Sequence, residues 1–326
     1  IKVPPPTFCP ECRMIRRFNF RNERMLFRRP DASSGKEIFS TFSPESKVVT
    51  YESNYWFGDT WDGTQYGKDY DFSKNFFKQF SELLSVVPLP ARSFLNMVNS
   101  DYCNEISYGR NSYLCFNADY LENCAYLRKV NHAKDSIDIY EGFEDELCYE
   151  DVMVDKSYRT SFSLECESCV DVWFSKGLRG CTNCFGCVNL INKSNCFFNE
   201  QYSHEEYLRK IEEFNSGSFV AIEDMKKKTA DFWLKFPVKY ARSTRTLNST
   251  GDRVFDSKNV KDSFSIRNGE NLRYCQDIQS NASNSYDYSV WGDGAENLYE
   301  CMTSGLGAYN VKFCFNTWNE VYDMEY

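Results

Sequence analysis

The chain has 326 residues, of which 42% are hydrophobic and 17% aromatic, and its formal net charge is −9. This length allows two or three domains, or one elongated array with a sizeable core. The 22 Tyr and 27 Phe, against 16 Gly and 9 Pro, exclude a disordered or collagen-like chain. No apolar run reaches about eighteen residues and no export signal is visible, so the sequence predicts no membrane span and a cytoplasmic location.

The charge is unevenly distributed. Residues 1–50 hold ten Lys/Arg against five Asp/Glu, whereas residues 51–326 hold 28 against 42. An acidic body repels phosphate, so we expect any nucleic-acid contact to be confined to the first fifty residues. The 15 cysteines recur at regular intervals in places that elsewhere hold Ser, Leu or Val, which is typical of small buried residues. We therefore predict free thiols in a reducing compartment.

Cys9 and Cys12 are the first candidate site along the chain, in the zinc-knuckle spacing CPEC. A structural zinc ion needs four Cys or His ligands. The next cysteine is Cys103 and the only histidines are His132 and His204, so we expect the other two ligands to lie before Ile1. The sequence thus predicts a basic zinc-ribbon-like module with zinc as its cofactor.

Arginines follow the knuckle at spacings of 4, 4, 3 and 4, which predicts one helical face. This face has two interpretations: it binds phosphate of RNA or DNA, or it docks on the acidic body of the protein or of a protein partner. The second interpretation is favoured because charge runs alone are weak evidence for nucleic-acid binding. The candidate binding residues are Arg13, Arg16, Arg17, Arg21, Arg24 and Arg28.

A group of carboxylates comes next, in the segment FGDTWDGTQYGKDYDF. Its members could bind calcium or perform acid–base chemistry, as in a carbohydrate-active β-helix enzyme. Asp is also an ordinary turn and helix-capping residue, and three glycines lie among them, so a turn-rich loop is favoured. The candidate acidic residues are Asp59, Asp62, Asp69 and Asp71.

Helical periodicity appears in two regions. The segment DFSKNFFKQFSELLS places its apolar residues on one face and is followed by Pro88, which predicts a helix that caps an array. Between the two arrays, Ser203 and Glu206 form a predicted capping box at the start of YSHEEYLRKIEEF. The segment FVAIEDMKKKTADFWLKF continues the helical period up to Pro237, which predicts a helical pair.

Repeated residues decide the predicted fold. In one array they fall 12 residues apart, at Asn99, Asn111, Asn123, Asp135 and Leu147, and Tyr102, Tyr113, Tyr126 and Tyr149 follow within three positions. In a second array the steps are 12, 13, 13 and 13, at Asn259, Asn271, Asn284, Asn297 and Asn310. Short β-prone runs separated by turn residues at this spacing favour a right-handed β-solenoid in two segments, with small residues stacked inside. A β-sandwich has similar strand spacing and is the alternative.

Six cysteines lie within one stretch of the first array, at Cys166, Cys169, Cys181, Cys184, Cys187 and Cys196. The run Cys181, Cys184, Cys187 could begin a zinc or iron–sulfur site. Cys169/Cys181 and Cys184/Cys196 nevertheless keep the 12-residue step, so stacked interior thiols are favoured over a metal.

Long motifs of this chain, including PTFCPECRMIRRFNFRNERMLFRR, YWFGDTWDGTQYGKDYDF and CTNCFGCVNLINKSNCFFNEQYSHEEYLRKI, resemble a zinc-ribbon repeat family known from genomes of candidate-phylum bacteria. The resemblance implies a first Cys-x-x-Cys before Ile1 and a further closing motif after Tyr326, so the chain is expected to be a fragment at both ends. It also implies cysteines near Asp31, Ser33 or Ser34, Glu52 and Asn54, where a second ribbon site is lost. The resemblance implies no particular activity.

Together these patterns predict five segments: a zinc-ribbon-like module at 1–62, a linker and capping helix at 63–98, a first solenoid segment at 99–201, a helical hairpin at 202–237 and a second solenoid segment at 238–326. The favoured function is a non-enzymatic scaffold or macromolecule-binding protein, with a protein partner or self-association. The alternatives are nucleic-acid or ribosome association through the arginines, and a carbohydrate-active β-helix enzyme.

Overall fold

A computed structural model describes residues 3, 5–214 and 216–325. The chain divides into two compact units, which are described separately: the first unit is Glu23–Pro237, and the second unit combines Ile1–Asn22 with Val238–Tyr326. The predicted mainly β class is confirmed, since strands outweigh helices and form the sheets of both units.

Five α-helices lie among the described residues. They are α1 (Pro10–Phe18), α2 (Ser53–Trp56), α3 (Phe76–Leu84), α4 (His204–Glu212) and α5 (Phe219–Trp233), with a 3-10 turn at Gly63–Tyr66. The predicted capping box is confirmed: the Ser203 hydroxyl accepts from the Glu206 amide at 3.2 Å, and the Glu206 carboxylate accepts from the Ser203 amide at 3.1 Å. None of the described helices has the length and apolar composition needed to cross a membrane.

The helix predicted around residues 71–85 is confirmed as α3, but its apolar face is open. Phe76, Phe77 and Phe80 are 47%, 62% and 51% exposed, and no α3 residue is buried. The predicted capping role for this helix stays a prediction.

The strands of the first unit are β1 (Phe27–Pro30), β2 (Glu37–Ser40), β3 (Thr50–Tyr51), β4 (Leu89–Pro90), β5 (Phe94–Leu95), β6 (Asn104–Arg110), β7 (Phe116–Glu122), β8 (Arg128–Lys134), β9 (Ile137–Glu146), β10 (Tyr149–Asp155), β11 (Tyr158–Ser161), β12 (Val170–Trp173), β13 (Thr182–Phe185), β14 (Ser194–Phe197) and β15 (Glu200–Gln201). Within the described residues, β5 to β15 form one sheet in chain order, and β1–β2 and β3–β4 form two small pairs.

Successive strands from β5 to β14 pair in parallel with a constant offset. Ile106 pairs with Ala118, Thr160 with Val172, and Cys184 with Cys196, each 12 residues apart. Parallel pairing separates this sheet from the antiparallel sheets of a β-sandwich. The 12-residue spacing found in the sequence is therefore the spacing of hydrogen-bonded neighbours.

Every third residue of the first unit's array points inward. These buried positions hold small or medium side chains, among them Cys103, Ile106, Cys115, Ala118, Leu121, Cys124, Leu127 and Val130. Burial of such a column stabilises the fold by roughly 25 cal/mol for each Å² of apolar surface removed from water. The interior is narrow, so Cys and Ser fit where a larger residue would overpack it.

Residues with positive φ recur at the same three-residue interval and are the corner residues of the array. Asn99, Asn111 and Asn123 have φ values of 51°, 50° and 54°. Asn adopts this left-handed region more readily than other non-glycine residues. The amide of Asn99 donates to Asn111 at 3.2 Å, and that of Asn111 donates to Asn123 at 3.0 Å, so the corners are also joined by side-chain hydrogen bonds.

This geometry predicts the outcome of two substitutions at one corner. Asn111→Val is expected to lower the free energy of unfolding by about 1–2 kcal/mol more than Asn111→Gly, because glycine tolerates positive φ and a β-branched residue does not. Both variants lose the same side-chain hydrogen bonds, so the difference measured by urea denaturation isolates the backbone term. Equal losses for the two variants would contradict the left-handed corner.

The strands of the second unit are β16 (Thr244–Leu247), β17 (Gly251–Lys258), β18 (Ser263–Arg267), β19 (Gly269–Glu270), β20 (Gln276–Ser283), β21 (Ser289–Glu296), β22 (Met302–Gly305) and β23 (Phe315–Thr317). They form a parallel sheet in which the offset changes from 12 residues, as in Ile266 with Ile278, to 13, as in Ser289 with Met302. Tyr288 is fully buried in this interior; its hydroxyl donates to the Ser304 carbonyl and accepts from the Gly292 amide at 2.8 Å.

Candidate interaction sites

The first candidate site is the N-terminal helix on the sheet of the second unit. Pro10 occupies the first turn of α1, where its missing amide has no partner to lose, and Cys9 is the N-cap. The helix ends at Phe18 with Asn19 as its C-cap. Arg13, Arg16 and Arg17 are therefore the arginines that α1 presents.

A buried ion network holds α1 in place. Arg13 Nε donates to Asp287 Oδ2 at 2.8 Å, and Arg17 Nη1 donates to Asp287 Oδ1 at 3.3 Å. Both arginines are 3% exposed and Asp287 is fully buried. Glu300, on the next strand connection, lies 3.9 Å from each of these arginines and 2.7 Å from Arg16. A buried pair of this kind is strongly destabilised when one partner is removed.

Aromatic rings complete the platform under α1. The Arg13 guanidinium lies 5.2 Å from the ring centre of Tyr274 and 5.9 Å from that of Tyr286. Arg21, just after the helix, donates to the Thr303 hydroxyl at 2.6 Å. Arg13 thus has carboxylate and aromatic partners within the chain, and Arg17 has carboxylate partners, which supports the intramolecular interpretation of the arginine face.

The predicted helical face through Arg28 is wrong beyond Phe18. Arg24 is exposed, and Arg28 lies in β1, where it pairs with Glu37 at 3.3 Å with both side chains mostly in water. The physical reason is that Phe27–Pro30 pairs antiparallel with Glu37–Ser40, and this hairpin pairing requires extended backbone. Spacing alone did not reveal the change from helix to strand.

Cys9 and Cys12 lie at the exposed start of α1. The Cys9 sulfur accepts from the Cys12 amide at 3.4 Å. The hydrogen bond with Cys9 raises the pKa of the Cys12 thiol. Two thiols supply half of a tetrahedral zinc site, and no third His, Cys, Asp or Glu joins them among the described residues. The zinc knuckle stays a prediction.

Asp31 joins its own loop to Glu52, the N-cap of α2. Its carboxylate accepts from the Ser33 hydroxyl at 2.6 Å, from the Ser34 amide at 2.8 Å and from the Glu52 amide at 3.0 Å. Burial raises the pKa of Asp31, but these hydrogen bonds outweigh it and lower the pKa to about 2. Hydrogen bonds therefore hold this loop together.

The cysteine cluster of the first unit is a stacked interior. Cys181, Cys184 and Cys187 are all fully buried. The hydrogen bond with Cys184, together with burial, raises the pKa of the Cys181 thiol. Cys187 makes the same bonds as Ser175 twelve residues earlier: each side chain donates to a carbonyl two residues back and accepts the amide twelve residues on. Ser and Cys are interchangeable here because both fit and both satisfy the backbone.

Cys187→Ser is accordingly expected to change the free energy of unfolding by less than about 1 kcal/mol, because serine supplies the same donor and acceptor. Thermal unfolding measures the stability, and elemental analysis measures bound iron and zinc before and after the change. A metal present at whole-number stoichiometry in the wild type and lost in Cys187→Ser would contradict the stacked-thiol interpretation.

The carboxylates of the predicted acidic cluster serve local turns. Asp62 accepts from the Thr64 amide at 2.9 Å, and Asp71 accepts from the Ser73 amide at 3.0 Å. Asp59 and Asp69 are exposed in loops. In the part of the chain that the structure describes, these residues do not join a metal-binding group. Turn formation accounts for Asp62 and Asp71.

The second candidate site is the tyrosine face of the first unit, formed by Tyr102, Tyr113, Tyr126, Ile137 and Tyr149. These side chains are between 40% and 50% exposed. The rings of Tyr102 and Tyr113 lie 5.5 Å apart, those of Tyr113 and Tyr126 lie 5.7 Å apart, and Ile137 pairs with Tyr149. A contiguous exposed patch of this kind is typical of an interaction surface.

The same aromatic surface continues under α4 and α5, where it is covered. Tyr149 contacts Phe162 at 5.3 Å, and Phe162 stacks on Phe174 at 4.6 Å. Phe214, after α4, lies 5.5 Å from Phe174 and 5.2 Å from Phe185. Residues of α4 and α5 complete this buried cluster, among them Tyr207, Ile211, Ile222 and Met225.

Sequence reasoning found the arginines and the tyrosines but missed Asp287 and Glu300. Their spacing of 13 matches the second array, and this was the one signal that pointed to them. Nothing local marks a buried carboxylate whose partners lie 270 and 274 residues away.

The fold and these sites define a mainly β protein with an ion-paired N-terminal helix and an aromatic face. No family model and no curated protein matches the chain. Among solved structures, a protein from Desulfovibrio desulfuricans G20 described as a "putative acetyltransferase" aligns at 10% identity over 70% of this chain, with a TM-score of 0.17. The alignment spans 65% of that protein, which is less than two thirds of its length.

Proposed function

We propose that the protein is a non-enzymatic β-solenoid scaffold that binds a protein partner through the tyrosine face of the first unit. The observation that carries the proposal is the contrast between two parts of one aromatic surface. The chain buries Phe174 and Phe185 to 0% and 1% exposure under its own helices, whereas Tyr113 and Tyr126 are 44% and 50% exposed.

An amphipathic helix is the occupant that this surface fits. The chain covers the continuation of the face with apolar residues at helical spacing, Tyr207 and Ile211 on α4 and Ile222 and Met225 on α5. Helix-in-groove recognition uses the same spacing of anchors. Tyrosine is also enriched among the residues that carry most binding energy at interfaces.

The solenoid architecture of this scaffold is supported by the constant parallel offset, the inward column and the positive-φ corners. If each 12-residue segment is one coil, deletion of residues 112–123 joins Asn111 to Cys124 and leaves every column in register. This variant is expected to keep its far-UV circular dichroism and a cooperative unfolding transition.

Deletion of residues 112–117 is the matched control for that experiment. It keeps the three-residue alternation of buried and exposed positions but moves each column to the opposite side of the coil, so it is expected to unfold the first unit. If both deletions fold equally well, or if both fail, the coil interpretation is wrong.

Binding is tested by site-specific photo-cross-linking with the cross-linker at Tyr113 and, as a control on another surface of the same coils, at Glu122. A partner captured at Tyr113 alone is then purified and its affinity measured directly. The proposal predicts that Tyr113→Asp/Tyr126→Asp weakens this binding at least about 100-fold, since two buried tyrosine anchors contribute about 1.5 kcal/mol or more each. Equal capture at the two positions, or unchanged affinity in the double variant, would count against it.

A further inference from the structure

The 15 cysteines divide sharply by exposure. Cys9 and Cys12 are exposed, and the other thirteen are buried. Burial raises the pKa of several of the interior thiols, for example that of Cys148 to about 12, which keeps them protonated and unreactive. The thiols that a reagent in solution reaches in the folded protein therefore lie in one Cys-Pro-Glu-Cys turn.

The geometry of this turn suits exchange between a dithiol and a disulfide. Cys9 is the N-cap of the nine-residue α1, and its sulfur accepts the Cys12 amide at 3.4 Å, one helical turn away. Cys12 is in turn hydrogen-bonded to Cys9. A Cys-x-x-Cys turn at a helix N-terminus favours a reactive first thiol, with the second placed to resolve the mixed disulfide.

The ion network holds this turn in place within the second unit. Arg13 donates to the carbonyl oxygen of Phe8, next to Cys9, and at the same time to Asp287. The guanidinium of Arg16 lies 5.5 Å from the ring centre of Phe8. The backbone before the first thiol is thus attached to a buried carboxylate.

A cleft of about 610 Å³ adjoins the turn. Pro10 and Glu11, the two residues between the thiols, line it, as do the aromatic residues Phe264 and Tyr274. Glu11, Asp252 and Asp262 also line the cleft; Asp252 lies 3.8 Å from Arg242, and Asp262 lies 3.8 Å from Arg273. Arg17, the cationic residue among the described lining residues, is paired with Asp287. A lining of this kind favours a positively charged ligand.

We propose that Cys9 and Cys12 form a reversible dithiol–disulfide pair that reduces disulfides in positively charged peptides. The Cys9 thiolate attacks one sulfur of the substrate, the substrate S–S bond breaks, and the first thiol leaves with a proton. Cys12 then loses its proton and attacks the Cys9 sulfur, which releases the second thiol. Two electrons and two protons pass to the substrate, and the protein keeps a Cys9–Cys12 disulfide.

The test uses the full chain with two probe disulfides, cationic cystamine and anionic glutathione disulfide. Reaction with each probe is expected to lower the mass of the protein by two hydrogen atoms. Peptide mapping is expected to locate the new disulfide between Cys9 and Cys12. Cystamine is expected to react faster, and Asp252→Asn/Asp262→Asn is expected to reduce the cystamine-to-glutathione rate ratio by about fivefold or more.

Serine variants separate the two thiols. Cys9→Ser keeps a good N-cap, so α1 is retained while the reaction is lost. Cys12→Ser is expected to accumulate a mixed disulfide on Cys9. The proposal is overturned if the wild type takes up probe groups on both thiols without closing a disulfide. It is also overturned if bound zinc keeps both thiols inert until a chelator is added. Neither result bears on the tyrosine face, so the two proposals fail independently.

Discussion

Asp287→Asn is expected to lower the free energy of unfolding of the second unit by about 3–5 kcal/mol, because it removes the carboxylate to which two buried arginines donate and leaves them only Glu300, 3.9 Å away from each, as a negative charge. Arg13 and Arg17 are each 3% exposed and both donate to this one carboxylate. Neither guanidinium can lose its proton to escape the penalty. Urea denaturation measures the loss, and limited trypsin digestion at Arg13 and Arg17 reports whether α1 leaves the sheet.

Glu37→Gln is the matched control, because Glu37 pairs with Arg28 while both side chains stay about two-thirds exposed. An exposed pair of this kind contributes at most about 1 kcal/mol, and less in salt. Similar losses for Asp287→Asn and Glu37→Gln, or an unchanged rate of trypsin cleavage in Asp287→Asn, would show that the network does not hold α1.

Asp145→Asn is expected to stabilise the first unit, and to do so increasingly as pH rises. Asp145 is 1% exposed within the inward column, and its Oδ2 has no hydrogen-bond partner. Burial, with the nearby charges of Asp155 and Asp151 adding to it, raises the pKa of Asp145 to about 9. Asparagine has nearly the same shape and stays neutral.

The direction of this pH dependence follows from the pKa of Asp145 in the folded chain and in the unfolded chain. The pKa of an unfolded aspartate is about 3.9. Between that pH and about 9, the unfolded chain has therefore released a proton that folded Asp145 keeps. Stability therefore falls as pH rises through this window, by up to about 1.4 kcal/mol per pH unit. Asp151, whose pKa burial raises to about 7, adds a second loss that ends near neutral pH.

At pH 8 the gain from Asp145→Asn is expected to be up to about 5 kcal/mol, and below about pH 3 it is expected to vanish, because the wild-type carboxyl group is then neutral in both states. Asp135→Asn is the control: Asp135 is an exposed corner residue that accepts from Asn123 at 2.8 Å, at a position where Asn99 and Asn111 are its equivalents. That variant is expected to change stability by less than about 0.5 kcal/mol at either pH. A gain from Asp145→Asn that does not grow with pH would refute the buried-acid explanation.

Features of the fold that have a local or periodic cause could be predicted from the sequence. The 12-residue spacing of Asn99, Asn111 and Asn123 located hydrogen-bonded neighbours, because a parallel sheet with a constant offset repeats its side-chain environment. The exchange of Ser and Cys at inward positions marked small buried side chains, and Ser203 with Glu206 marked a helix start. Each of these signals lies within a few residues, or recurs at one period.

The partners of the arginines and the exposure of the tyrosines depend on tertiary packing. Arg13 and Asp287 are 274 residues apart, and their pairing depends on where α1 rests on the sheet, which no local pattern encodes. The extended backbone at Arg28 was missed because it is set by the partner strand of β1 and not by the spacing of the arginines. Tyr113 and Phe174 belong to one aromatic surface of the folded array, but packing of α4 and α5 covers only the second of them. Which aromatic side chains are covered depends on the length and position of those helices. The exposure of Tyr113 is therefore a property of the folded chain and does not follow from the 12-residue repeat.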